Sequence, residues 1–117
     1  MHGEQKYDLG NDASLLLLDD DEPFVRRLSR AMERRGFSVV TALTVLEGKK
    51  LVNNACPNYA VIDLRLEDGS GLEIVELLRQ KRPDARIVVL TGYGAIATAV
   101  AAVKIGATDY LAKPADA

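Results

Sequence analysis

Four apolar runs in this chain end in a residue that can do polar chemistry. Leu15-Leu16-Leu17-Leu18 runs into Asp19-Asp20-Asp21, Ala60-Val61-Ile62 into Asp63, Ile87-Val88-Val89-Leu90 into Thr91, and Tyr110-Leu111-Ala112 into Lys113-Pro114. A short continuous apolar run bounded by turn residues reads as a strand buried on both faces. Parallel strands of one sheet carry their C-terminal ends along a single edge, where open α/β sheets bind ligands. Carboxylates, a hydroxyl and an ammonium gathered at that edge suit a divalent cation and a phosphoryl group. Hard cations take oxygen ligands, and phosphoryl transfer asks mainly for positioning and charge neutralisation.

The segments between those residues have to deliver them. Strands are expected at 14–19, 38–42, 59–63, 86–91 and 108–112, and helices at 23–35, 44–55, 71–81 and 95–105. The first helix has Pro23 in its first turn, where a missing N–H is harmless, and Gly36 at its end. Val25, Leu28, Ala31 and Met32 form its inward face, and Arg26, Arg27, Arg30, Arg34 and Arg35 its solvated one. Asp21 or Glu22 is placed to cap it. Thr44 with Glu47 three places on reads as a capping box for the second helix, and Leu66-Glu67-Asp68-Gly69-Ser70-Gly71 as a turn-rich loop. Strict alternation of strand and helix predicts an α/β fold: a doubly wound, five-stranded parallel sheet with right-handed crossovers. No helix follows the last strand before Ala117, so a fifth helix is expected to be absent. Residues 1–13 are expected to be a mobile leader, and 14–117 one domain, cut short at its C-terminus.

Composition narrows the function. The chain has 117 residues, of which 48% are hydrophobic, which excludes a disordered protein. A net charge of −2 leaves no electrostatic footprint for nucleic acid. Cys56 is the only cysteine, which excludes an internal disulfide and suits a reducing, cytoplasmic compartment. No apolar run approaches the roughly 20 residues of a membrane span, and the N-terminus lacks the basic-then-apolar order of a secretion signal.

The order Asp19-Asp20, Asp63, Thr91, Lys113-Pro114, with steps of 43, 28 and 22 positions from Asp20 to Asp63, Asp63 to Thr91 and Thr91 to Lys113, resembles the receiver domain of two-component response regulators, the CheY-like superfamily of flavodoxin-like sheets. Met32-Glu33-Arg34-Arg35-Gly36-Phe37 and Asp68-Gly69-Ser70-Gly71-Leu72 are similar to the global redox regulators of the RegA/PrrA/ActR type. The resemblance implies that Asp63 is the phosphoacceptor. It implies that Asp19, Asp20, Asp63 and the backbone carbonyl of Arg65 hold Mg²⁺, with Asp20 and Asp21 left open as the alternative pair. Thr91 would bond the phosphoryl group, Lys113 would pair with one of its oxygens, Thr91 and Tyr110 would act as the switch, and the Lys113-Pro114 bond would be cis. The partner implied is a sensor histidine kinase. DNA would be met only through an absent C-terminal output domain that regulates transcription, a homodimer is possible, and the chain would be an acceptor rather than an enzyme. Arg65 and Tyr93, two places beyond Asp63 and Thr91, would screen the acyl phosphate from water.

Two rival readings use the same residues. Gly92-Tyr93-Gly94-Ala95-Ile96-Ala97 matches a dinucleotide-binding G-x-G-x-x-A, with Asp109 near the position of a ribose-binding acid. Asp19-x-Asp21 after a strand suits a haloacid-dehalogenase-like phosphatase with Asp19 as nucleophile.

Overall fold

A computed structural model describes residues 12–92 and 96–113. In chain order the elements are β1 (Ser14–Leu18), α1 (Glu22–Arg34), β2 (Ser38–Ala42), α2 (Val45–Asn54), β3 (Tyr59–Asp63), β4 (Arg65–Leu66), β5 (Gly69–Ser70), α3 (Leu72–Lys81), β6 (Arg86–Thr91), α4 (Ile96–Lys104) and β7 (Asp109–Ala112). Five of the strands form one parallel sheet in the order β2-β1-β3-β6-β7. Chain order reverses between β2 and β3 across β1, the doubly wound pattern that alternation alone predicts.

Leu15 to Leu18 are buried without a break because β1 is an interior strand with apolar layers on both sides. One layer joins Leu16, Leu18, Ile62, Ile87 and Val89 of the sheet to Val52 of α2, Ile74, Val75 and Leu78 of α3, and Ala99 and Ala102 of α4. The other carries Leu15 and Leu17, and α1 packs over β1 and β2. Val25 is the fully buried residue of α1. Leu28, Ala31 and Met32 are half-buried, and Met32 borders an apolar groove of about 390 Å³ with Phe37, Val61 and Val88.

The sequence misplaces several features at this level. The 65–70 segment is an antiparallel hairpin of two-residue strands, not a loop. Glu47 bonds the N–H of Leu43 rather than that of Thr44, while Thr44 accepts from Glu47 as a cap should. Asp12 and Ala13, assigned to the leader, are tied into the sheet: Ser38 N–H donates to the Ala13 carbonyl, and Asp12 accepts from Ser14 and pairs with Arg82. The rest of the leader, residues 1–11, the Tyr93–Ala95 segment, the Lys113-Pro114 bond and the C-terminal end at Ala117 lie outside the described residues.

Gly71 shows how tightly the hairpin is folded back on the sheet. Its N–H bonds the Leu64 carbonyl. A Cβ at this position would lie 2.2 Å from the carbonyl oxygen of Asp63 and 2.7 Å from Ile62 Cγ2. The close approach, not the dihedral angles, demands glycine. Gly71→Ala is therefore expected to force α3 away from β3 and cost about 1–3 kcal/mol by overpacking. Urea unfolding checks this; an unchanged midpoint would show that the backbone yields at no cost.

Candidate functional site

The register of the sheet builds the site. Leu18 pairs with Ile62, Asp63 with Leu90, and Thr91 with Ala112. The next residues out, Asp19 and Lys113, therefore reach the same edge as Asp63 and Thr91. The chain brings together four of the side chains singled out in sequence, from four different strands.

Asp19 is buried and fully used. Its Oδ1 accepts the N–H of Asp21 at 2.9 Å and its Oδ2 accepts from Lys113 Nζ at 2.8 Å. Asp20 is exposed, and Asp21 is the α1 cap, accepting from Phe24 N–H at 3.2 Å. The capping role takes Asp21 out of the acidic pair. Ligand atoms of Asp19, Asp20 and Asp63 lie within 4.8 Å of one another. Three carboxylates on such a short baseline fit a hard divalent cation, which prefers oxygen donors and tolerates mixed burial.

Asp63 is 6% exposed and faces a cavity of about 390 Å³, shared with Arg65, Ser70, Thr91, Thr98 and Lys113. Asp19 does not line that cavity. One Asp63 oxygen accepts the Arg65 N–H at 3.2 Å and the other lies 3.6 Å from Lys113 Nζ. Burial, joined by the nearby charges of Asp19 and Asp20, pushes the Asp63 carboxyl up to about 6 against the opposing pull of the Arg65 N–H and Lys113. Lys113 moves the opposite way to a buried amine. Desolvation pulls it down, but the Asp19 hydrogen bond and the charges of Asp63 and Asp19 outweigh that, so its net shift is upward and it stays an ammonium.

Thr91 is buried and its hydroxyl donates to the Gly92 carbonyl at 2.8 Å, along the cavity wall rather than to Asp63. Tyr110 is half-buried against the core. Arg65 is exposed, with its N–H turned to Asp63. Two supports escaped the sequence. Asp68 accepts the first two N–H groups of α2, from Val45 at 2.9 Å and Leu46 at 3.2 Å, and so moors the hairpin that walls the cavity. Phe24 places its ring 5.1 Å from Lys113 Nζ.

The geometry weighs against both rivals. Asp109 pairs with Val88, at the opposite end of β7 from the site edge, too far from Gly92 to share a ribose. Asp19 is held by the Asp21 N–H and Lys113, and Asp63 is the carboxylate that lines the cavity.

A family model described as the response regulator receiver domain matches residues 15–117. The chain is 70% identical over 114 residues to the photosynthetic apparatus regulatory protein RegA of Rhodovulum sulfidophilum, covering 97% of the chain and 62% of the relative. It is 62% identical over 109 residues to the acid tolerance regulatory protein ActR of Rhizobium meliloti, covering 93% of the chain and 56% of the relative. The chain thus spans about three fifths of the length of these curated relatives. Among solved structures, a Burkholderia pseudomallei response regulator described with a phosphorylated aspartic acid, calcium ion and citrate superimposes with a TM-score of 0.82 at 48% identity, over 90% of this chain and 62% of that one.

A carboxyl whose pKa rises on folding destabilises the fold once ionised. The Asp63 penalty is absent below its usual value of 3.8, grows as pH rises, and is complete above about 6. Asp63→Asn is expected to raise the melting temperature in EDTA at pH 7.5, with the gain shrinking to nothing by pH 4. A gain that persists at pH 4 would assign the effect to something other than charge.

Proposed function

The chain belongs to the response regulator receiver domain family, and from that premise we propose that Asp63 is its phosphoacceptor. The observation that carries this is the division between the two buried carboxylates: Asp63 opens onto a cavity with Thr91 and Lys113, and Asp19 is tied up by the Asp21 N–H and Lys113. A carboxylate oxygen of Asp63 attacks the phosphorus of the donor, a phosphohistidine of a sensor histidine kinase, and forms an aspartyl phosphate as the imidazole leaves.

Asp19, Asp20, Asp63 and the backbone carbonyl of Arg65 would hold Mg²⁺, which when bound supplies neutralising charge to the equatorial oxygens. Lys113 is 2.8 Å from Asp19 and 3.6 Å from Asp63, close enough to exchange the first partner for a phosphoryl oxygen by a small shift of its ammonium. Thr91 turns its hydroxyl from the Gly92 carbonyl to the new phosphoryl group, and Tyr110, half-buried two strand positions before Ala112, repacks in response. Arg65, exposed beside the cavity, screens the acyl phosphate from water.

For the whole protein, RegA and ActR likeness supports a cytoplasmic regulator of transcription whose DNA contacts belong to a C-terminal output domain. No helix among the described residues is long and apolar enough to cross a membrane. Val100, Val103 and Ile105 of the α4 region are exposed apolar side chains suited to a homodimer contact.

Treatment with acetyl phosphate and Mg²⁺, then peptide mapping by mass spectrometry, should add one phosphoryl group at Asp63. Asp63→Asn should abolish labelling, and Asp20→Asn should cut its rate at least ten-fold at limiting Mg²⁺. Label on Asp19 would transfer the assignment to the phosphatase reading.

A further inference from the structure

Lys113 has a mechanical problem. It leaves the end of β7, the outermost strand, yet its ammonium bonds Asp19 on β1, three strands away in the order β1-β3-β6-β7. A lysine stem has several rotatable bonds and much rotamer freedom to lose when its ammonium is held in one place. Two of the groups that hold the ammonium are the anions Asp19 and Asp63. Both belong to the acidic cluster, and a bound cation would draw their charge away from the lysine.

The third group is neutral. The Phe24 ring centroid lies 5.1 Å from Lys113 Nζ, inside the distance at which a cation is attracted to an aromatic face. The ring is itself fixed. Phe24 is the third residue of α1, its N–H is bonded to the Asp21 cap, and Pro23 stiffens the turn before it. The ring is half-buried and the lysine side chain is 23% exposed, so water weakens the attraction only in part.

We propose that Phe24 is a positioning residue for the phosphoryl chemistry, a cation–π rest that keeps the Lys113 ammonium aimed at Asp63 after the acidic cluster has given its charge to a metal ion. The proposal rests on the reading of Asp63 as the phosphoacceptor. Because the ring carries no net charge, a bound cation leaves its hold on the lysine intact, unlike that of Asp19.

The test has two readings on the intact chain. In metal-free protein, the Lys113 Hε protons should show an upfield ring-current shift by NMR, lost in Phe24→Leu. With Mg²⁺ and beryllofluoride as the phosphoryl mimic, Phe24→Leu should weaken binding about two- to five-fold, the factor expected of a partly exposed cation–π contact. Phe24→Trp, which keeps the aromatic face, should bind at least as tightly as wild type. In a Lys113→Met background, Phe24→Leu should change nothing further, which a merely structural effect of the ring would not obey. Wild-type binding matched by Phe24→Leu, an unmoved Lys113 signal, or an equal loss in the Lys113→Met background each overturns the proposal and leaves the Asp63 reading standing. Wild-type protein that takes no beryllofluoride overturns both. Should Phe24→Leu fail to fold, the Phe24→Trp arm decides: binding weaker than wild type overturns the proposal.

Discussion

The structure depends on a repulsion it has to contain. Asp19 and Asp63 are both buried and stand with ligand atoms no more than 4.8 Å apart, alongside Asp20. At an effective dielectric near 20, two unit charges at that distance oppose each other by about 3 kcal/mol. The bare chain answers in two ways. One ammonium is driven between the two buried carboxylates, and Asp63 is left with a carboxyl that gives up its proton only near pH 6. A site that is uncomfortable when empty of positive charge is a site with a standing affinity for it. The same strain that lowers the stability of the unliganded domain favours a bound cation and makes charge at this edge an effective lever on the fold.

Containing the charge requires register more than it requires any single contact. Asp19, Asp63, Thr91 and Lys113 meet because four parallel strands end level with one another, and a slip of one residue in any strand would send its side chain to the other face of the sheet. The unbroken apolar run of β1 prevents that slip, since its side chains are buried on both faces, and in β6 Ile87, Val89 and Leu90 are buried while Val88 borders the groove. The hairpin after β3 makes the far wall of the cavity and is held at both ends. Gly71 fits against the Asp63 carbonyl with no room for a Cβ, and Asp68 accepts the first two N–H groups of α2. The mooring fixes the backbone of Arg65, whose N–H meets the phosphoacceptor candidate directly.

Most of this could be read along the chain because the informative residues lie where periodicity breaks. An apolar run that stops at a charge marks both a buried strand and its functional end, so the five strands and the side chains at their tips came from one signal. The features that escaped have no such local mark. A two-residue strand is too short to display a period, so the 65–70 hairpin looked like a loop. Asp68 and Val45 are 23 residues apart, and nothing near either announces the bond. Phe24 looked like one more helix residue because its partner lies on the last strand. Glu47 missed its expected donor by one residue, since the capping box specifies spacing but not how far the preceding backbone turns. Asp109 failed in the opposite sense: its spacing from Gly92 was right for a ribose acid, but spacing cannot tell which end of a strand a residue occupies.

The placement of Lys113 has a consequence for how a chemical event at the middle of the sheet could be felt at its rim. β7 pairs with β6 alone, and Leu111 on it is 58% exposed, so few contacts hold the strand in place. One long-range tie is the lysine at its end, paired with Asp19, the residue after β1, in a nearly buried setting. On the phosphoacceptor reading, modifying Asp63 changes that anchor, because a phosphoryl group offers the ammonium a denser negative charge than Asp19 does. A pull applied at Lys113 is applied to β7, and through it to Tyr110, which packs against the core that includes Ala99 and Ala102 of α4. β1, at the other end of the tie, is buried from Leu15 to Leu18, so the edge strand β7 is the one left to take up the displacement. An output surface at β7 and α4 needs no separate transmission path: on that reading, the residue that would neutralise the phosphoryl group is covalently continuous with the strand that contacts α4.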